Sequence, residues 1–327
     1  MKKTTAALLA LVLAVSMLLT SCGGDGFILA STPDADLQAE LDEILAKYIA
    51  CYEEGNAKGA IELFTSDFET TEESIAQFFV QVKETTESPF SLYETYYVKG
   101  VAQSEETVKI KKNKTDENYI EILPGGEDIV CALFLSEGEK VSKMMSVILT
   151  KDGEAFKIAY INPGVYKIKG EDANVYFEKT KALQSEEKFV AAYMSSCMLN
   201  AIMQPGGYLR YPDNDAMDEL CYNMFLDIYE KMPLPYALEG TSNSSVGEIN
   251  VALEKDYGLI PHLIFKTDVK IGDKKQLAAE AQLVIEALEK LSPGIRDSFE
   301  YIRMEATNDE LGQSADIKTE KIILPLK

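Results

Sequence analysis

The apolar residues of this chain change their spacing between Val82 and Leu92, and that change restricts the folds open to it. Before it, Leu37, Leu41, Ile44, Leu45, Tyr48 and Tyr52 recur three and four apart, the period of a helix with one buried stripe. Thr32 as N-cap and Pro33 at the first helical position predict its start, and Gly55 its end. Asn56 caps a short helix carrying Ala60, Ile61 and Phe64. A capping box from Thr70 to Glu73 leads into Ile75, Phe78, Phe79 and Val82. From Leu92 onward the period is two, which predicts strands at 92–101, 107–111, 119–123, 129–135, 141–149 and 155–161. Turn residues separate most of them, and Asn162-Pro163-Gly164 closes the run. Three helices followed by an antiparallel meander imply an α+β domain over 34–166, with one sheet face on the helices.

The pattern breaks at Lys167-Ile168-Lys169-Gly170, and a second α+β domain is expected over 167–327. Its helices run from Ala173 to Met203, broken near Gln184-Ser185, and from Asp213 to Met232. "GTSNSSVG", Gly240 to Gly247, reads as a flexible polar loop. Strands at 249–253 and 259–271, a helix boxed by Asp273 and Gln276, and a strand at 299–304 form a strand-helix-strand unit. Such a unit implies parallel pairing if both strands share a sheet. No family resemblance is recognised in this half.

The N-terminus fixes location. Lys2 and Lys3 precede an uncharged apolar run from Ala6 to Leu19, too short to span a bilayer comfortably but suited to the core of a secretory signal. Leu19-Thr20-Ser21-Cys22 follows and resembles the lipobox of bacterial lipoproteins. That resemblance implies a signal peptide over 1–21, cleavage before Cys22, and acyl chains (palmitate among them) on that residue. Two chains hold a protein on a membrane where one does so only marginally. Residues 22–33 then form a tether of at most roughly 40 Å. The expected location is the extracytoplasmic face of the cell membrane.

"YIACYEEGNAKGAIELFTSDF", Tyr48 to Phe68, resembles the opening of the nuclear-transport-factor-2-like cone fold, where helices precede a curved sheet. The likeness extends in element order over about Thr32 to Asn162. It implies three helices packed on a curved antiparallel sheet. Enzymes of that fold use an acidic base inside the cone, and no such position is matched here.

Net charge is −22 at 46% apolar content, and loss of Lys2 and Lys3 makes the body more acidic still. That surface repels phosphates and anionic headgroups, so nucleic acid is excluded as a partner. "KIKKNK", Lys109 to Lys114, is the one basic run; it is either a contact for an anionic envelope polymer or a solvated strand whose lysines discourage edge pairing. Tyr93, Thr95 and Tyr97 fall on one strand face by alternation, so Tyr93 and Tyr97 line a pocket or cover a half-buried sheet. Cys51, Cys131, Cys197 and Cys221 lie in apolar stretches without C-x-x-C spacing, which reads as buried thiols; if any bridge forms, Cys197 with Cys221 is the pair. His262, the single histidine, shares a face with Ile260, Ile264 and Lys266 and reads as structural. Asp213 to Glu219 resembles a calcium loop but has Met217 at the fifth position and lacks the turn glycine, so helix capping explains it. No metal, cofactor or catalytic residue is assigned. The expectation is a lipid-anchored, non-enzymatic binding module, its ligand between the first helices and the sheet. The alternatives are a hydrolase or isomerase with an acidic residue in that cavity, and a structural partner of an envelope complex docking through its second domain.

Overall fold

Asp34, two residues beyond the expected Thr32, caps the first helix: its carboxylate accepts the Leu37 N–H at 3.0 Å. Helix α1 is therefore Ala35–Glu54, ended by Gly55 at φ 74°, a left-handed conformation that glycine adopts without strain. Asn56 caps α2, Ala57–Ile61, and Thr71, one residue later than expected, caps α3, Glu72–Glu84. The computed structural model describes residues 27–100, 106–123, 128–311 and 318–327. Cys22 and the lipobox lie outside the described residues. The chain is mixed α+β, and its sheets are mostly antiparallel.

The expected single meander is divided between two sheets. Its strands are β2 (Ser91–Lys99), β3 (Val108–Lys111), β4 (Tyr119–Ile122), β5 (Asp128–Ser136), β6 (Val141–Asp152) and β7 (Ala155–Ile168), preceded by β1 (Phe27–Leu29). β2 pairs directly with β5, giving a first sheet in the order β2-β5-β6-β7. The β3-β4 hairpin leaves it and joins β1 and β8 (Leu209–Arg210) in a small sheet, β1-β3-β4-β8. Lys109 and Lys111 of the lysine run thus lie on an inner strand, with Lys112 to Lys114 in the turn after it, which corrects the edge-protection reading. β7 also continues through Asn162-Pro163-Gly164 instead of stopping there. Proline is tolerated because β7 is the sheet's outer strand. It ends at a turn through Lys169 (φ 52°) and Gly170 (φ 80°).

Beyond that turn come α4 (Ala173–Ser185), α5 (Phe189–Ile202) and α6 (Asn214–Lys231), with the break between α4 and α5 where it was expected. The third sheet contains β9 (Tyr236–Ala237), β10 (Ser245–Glu254), β11 (Gly258–Lys266), β12 (Tyr301–Thr307) and β13 (Thr319–Pro325). Helices α7 (Lys274–Leu291) and α8 (Ile295–Ser298) lie between β11 and β12 in the chain. β11 and β12 pair in parallel, as the strand-helix-strand unit implied. The polar "GTSNSSVG" segment is anchored, contrary to expectation: buried Glu280 on α7 accepts from Ser242 N at 2.7 Å and Ser244 Oγ at 2.6 Å.

The first sheet is buried on both faces. One packs on α1–α3 through Tyr97, Val130, Ala132, Phe134, Met145 and Val147, against Leu41, Tyr48, Tyr52 and Phe79. The other carries Tyr96, Val98, Cys131, Leu133 and Met144 into a core shared with the small sheet, α4–α7 and the third sheet. This explains why "DIVCALFLS" is almost continuously apolar: β5 has no solvent face. The space expected to hold a ligand, between α1–α3 and the sheet, is filled by those aromatic and aliphatic side chains.

A cleft at the junction of the sheets

The turn that ends β7 opens a cleft of about 530 Å³, bounded by α4, α5, the start of β11 and the segment from Asp297 to Tyr301. Local sequence sets its walls. Asp172 caps α4 by accepting from Asn174 N and Val175 N at 3.1 and 3.3 Å, which directs Tyr176, Lys179 and Leu183 into the cleft. Helix α8 delivers Phe299, Glu300 and Tyr301 to the opposite wall. The Tyr257 and Tyr301 rings lie 4.7 Å apart between centroids.

Four of the charged residues on this lining form two pairs. Lys169 Nζ lies 2.6 Å from Glu300 Oε2, and Lys179 pairs with Glu171. The Lys169 contact holds the Glu300 carboxyl below its ordinary range, first by hydrogen bonding and then by charge. Tyr176 is 8% exposed, and burial, with Glu171 and Glu300 adding to it, raises its phenol well above the ordinary range. Beneath it, Thr180 Oγ1 donates to the Tyr176 carbonyl and accepts from Ser195 Oγ, each at 2.8 Å. The surface is aromatic, with fixed dipoles and two ion pairs. It suits a ligand with an apolar body and a polar end.

The residues singled out in the sequence are scattered. Tyr93 and Tyr97 do not share a face, because β2 bulges between Leu92 and Glu94. The extra residue reverses the alternation. Tyr97, 5% exposed, joins the helix-side core, while half-exposed Tyr93 packs on Tyr166 at 6.4 Å on the other side. His262 Nε2 sits 3.4 Å from Glu305 Oε1. Arg303 bridges Glu305 and Glu254, the latter at 2.8 Å, and Lys321 adds to Glu254 at 3.0 Å. Burial lowers the imidazole's proton affinity, Glu305 opposing. Ser245 opposes Lys266 on β11, four residues from His262, or about 13 Å along the strand. No Ser-His pair is assembled there. Asp213 stands at the N-cap of α6 but makes no side-chain capping hydrogen bond, Asp215 lies in the first turn, and Met217 is fully buried, so this segment is a helix start whose acids face the dipole rather than cap it. Among the described residues no cluster of acidic, histidine or cysteine side chains could hold a metal ion.

All four described cysteines are free thiols. Cys197 and Cys221 line a second cleft, of about 430 Å³. Burial pushes Cys197 up to about 11 and, with Cys197 beside it, Cys221 up to about 12. The sequence reading missed the outer face of α6. Tyr222, Phe225, Leu226 and Tyr229 are 45–68% exposed there, opposite the buried Met217, Leu220, Met224 and Ile228. The signal was present, because a helix apolar on two sides needs two partners. No described helix is long and apolar enough to cross a membrane. Comparison of the chain with family profiles, curated proteins and solved structures found no match.

Proposed function

We propose that this is a lipid-anchored, extracytoplasmic binding protein without catalytic activity, taking a small amphipathic ligand in the cleft at the sheet junction. The observation that carries the reading is the cleft's lining: Tyr176, Tyr257, Phe299 and Tyr301 supply apolar and stacking surface beside the Lys169–Glu300 and Lys179–Glu171 pairs. The titration shifts point the same way. Among the described residues Glu43, Asp128, Glu300 and Glu305 are the displaced carboxyl groups, and all four are displaced downward. A carboxylic acid that delivers a proton near neutral pH needs the opposite displacement. The cone-fold reading of the first half is supported by α1–α3 covering one sheet face; the packed helix side moves the ligand site away from the cone interior.

The test is a thermal-shift panel of sugars, peptides and amphipathic compounds on a soluble form beginning at Phe27, paired with Tyr301→Ala. A saturable rise in midpoint that Tyr301→Ala abolishes supports the cleft, since binding to the native state stabilises by mass action. A rise that the substitution leaves intact sinks it. A second reading, a protein partner docked on α6, is favoured by the exposed Tyr222-Phe225-Leu226-Tyr229 stripe.

A further inference from the structure

The small sheet has one face in the core and one outside. Ile28, Ile110, Ile120, Ile122 and Leu209 point inward. Register places the alternate residues together on the other side: Phe27 beside Lys109, Leu29 beside Lys111, Lys109 opposite Glu121, and Tyr119 opposite Arg210. Lys111 Nζ stands 4.3 Å from the Phe27 ring centre and Lys109 Nζ 5.4 Å from that of Tyr119. The two rings meet edge to face at 5.1 Å. Glu121, the one acid on this face, is held by Arg210 Nε at 3.1 Å. Tyr119 is buried and Arg210 is paired with Glu121, so the accessible part of this face carries the excess charge of Lys109 and Lys111 beside Phe27 and Leu29, on a chain whose net charge is −22.

We infer that this face rests on the membrane, with Lys109 and Lys111 against anionic lipid headgroups and Phe27 and Leu29 at the level of the interface. The inference rests on the lipid-anchor reading of Cys22. Two observations name the bilayer as occupant. Four residues, Gly23 to Gly26, separate Cys22 from Phe27, a reach of roughly 18 Å over five fully extended steps, so an acylated Cys22 keeps Phe27 and the sheet it enters within that distance of the bilayer. The charge is also complementary: bases near an anionic surface are each worth about 1 kcal/mol there, and aromatic side chains favour the interface. The acidic remainder of the body does not cancel this attraction, because salt screens it beyond about 8–10 Å. A lipid chain combined with a basic patch is also the pairing that makes anchoring stable.

Mass analysis of the membrane-purified protein at Cys22 reads the anchor alone; an unmodified cysteine overturns both the anchor and this inference. The face is read separately on the acylated protein. The chain contains no tryptophan, so Leu29→Trp gives a single indole on the face, and Leu283→Trp gives one on the exposed side of α7. Each protein is placed in vesicles of phosphatidylcholine alone or of equal parts phosphatidylcholine and phosphatidylglycerol, with a shallow nitroxide-labelled lipid as quencher. The expected result is quenching and a blue shift at position 29 in the anionic vesicles, lost at high salt, with neither at 283. Lys109→Gln with Lys111→Gln should move the docked equilibrium on the order of thirtyfold toward the undocked state. If that variant misfolds, the salt titration of the Leu29→Trp protein carries the same reading. Quenching that is absent, equal at both positions, or indifferent to phosphatidylglycerol overturns the inference; absence would transfer the basic face to a soluble anionic polymer.

Discussion

Lys143 is 6% exposed on β6, with no ion pair among the described residues. Its amine meets Thr85 Oγ1 and, at 3.4 Å, the Val82 carbonyl, both at the C-terminal end of α3. Those contacts and the helix dipole favour the cation, yet burial prevails and lowers the amine from 10.5 to about 8. Between these values the unfolded chain holds a proton that the folded chain has released, so stability rises with pH across that window. The displacement corresponds to about 3 kcal/mol. Lys143→Met keeps the volume and abolishes the titration. Urea unfolding of both proteins at pH 7 and pH 10.5 should show the wild type gaining about 3 kcal/mol relative to the variant. Titrations common to both proteins, the tyrosines above all, cancel in that difference. At pH 7 the variant should be about 1–2 kcal/mol the more stable, the loss of two hydrogen bonds offsetting part of the relieved desolvation. A difference that does not change with pH would refute the reasoning, because it would mean that the amine reaches water.

Glu280→Ala should cost about 2–4 kcal/mol in denaturant unfolding and expose the 240–245 segment to proteolysis, since it leaves Ser242 N and buried Ser244 Oγ without their acceptor; a cost below about 0.5 kcal/mol would show the segment holds itself. Gly206 has φ 62°, and a Cβ there would meet Ser146 Oγ at 2.3 Å. Gly206→Ala should therefore destabilise by about 2 kcal/mol or more, with Ser146→Ala recovering part of the loss in the double variant; simple additivity would refute the clash. Cys197 and Cys221, displaced to about 11 and about 12, should react far more slowly with a disulfide reagent at pH 8 in the native protein than after unfolding, because the thiolate is the nucleophile. Rates unchanged by unfolding would contradict that burial.

Local chemistry was legible in the sequence wherever one residue decides the outcome. Gly55, Asn56, Asp273 and the break near Gln184-Ser185 all mark real boundaries. The parallel pairing of β11 and β12 also followed from the strand-helix-strand order. What failed depended on non-local partners. Period two shows that β2 to β7 are strands, but nothing in it says that β2 skips β3 and β4 to pair with β5. Alternation placed Tyr93 beside Tyr97 because a bulge leaves no mark in the spacing. The cleft was invisible for a similar reason: its lining runs from Ile168 to Lys327, and only the packing of the sheets brings Tyr176 and Tyr301 together.

The departure of the β3-β4 hairpin from the first sheet also connects the two ends of the functional reading. By crossing to the sheet's second face, the hairpin offers β3 to the incoming β1 and β4 to β8, so the strand that follows the tether is paired into a sheet whose far edge is the chain entering α6. Ala30 N and Ser31 N continue that attachment, donating to Lys111 O and Tyr97 O at 2.8 and 2.7 Å. A tether joined to a loop would leave the body free to tumble over the bilayer. On the proposed Cys22 anchor, one that enters a hydrogen-bonded strand ends at Phe27 and keeps this sheet within its short reach, because lengthening it past that point would break ladder hydrogen bonds in an apolar-backed sheet. If Cys22 carries the proposed anchor, the pairing of β1 decides which sheet lies within the tether's reach. Replacing Ile28, whose side chain fixes β1 on the core, with aspartate should release that strand and lengthen the tether of the acylated protein on vesicles, while the first and third sheets remain folded.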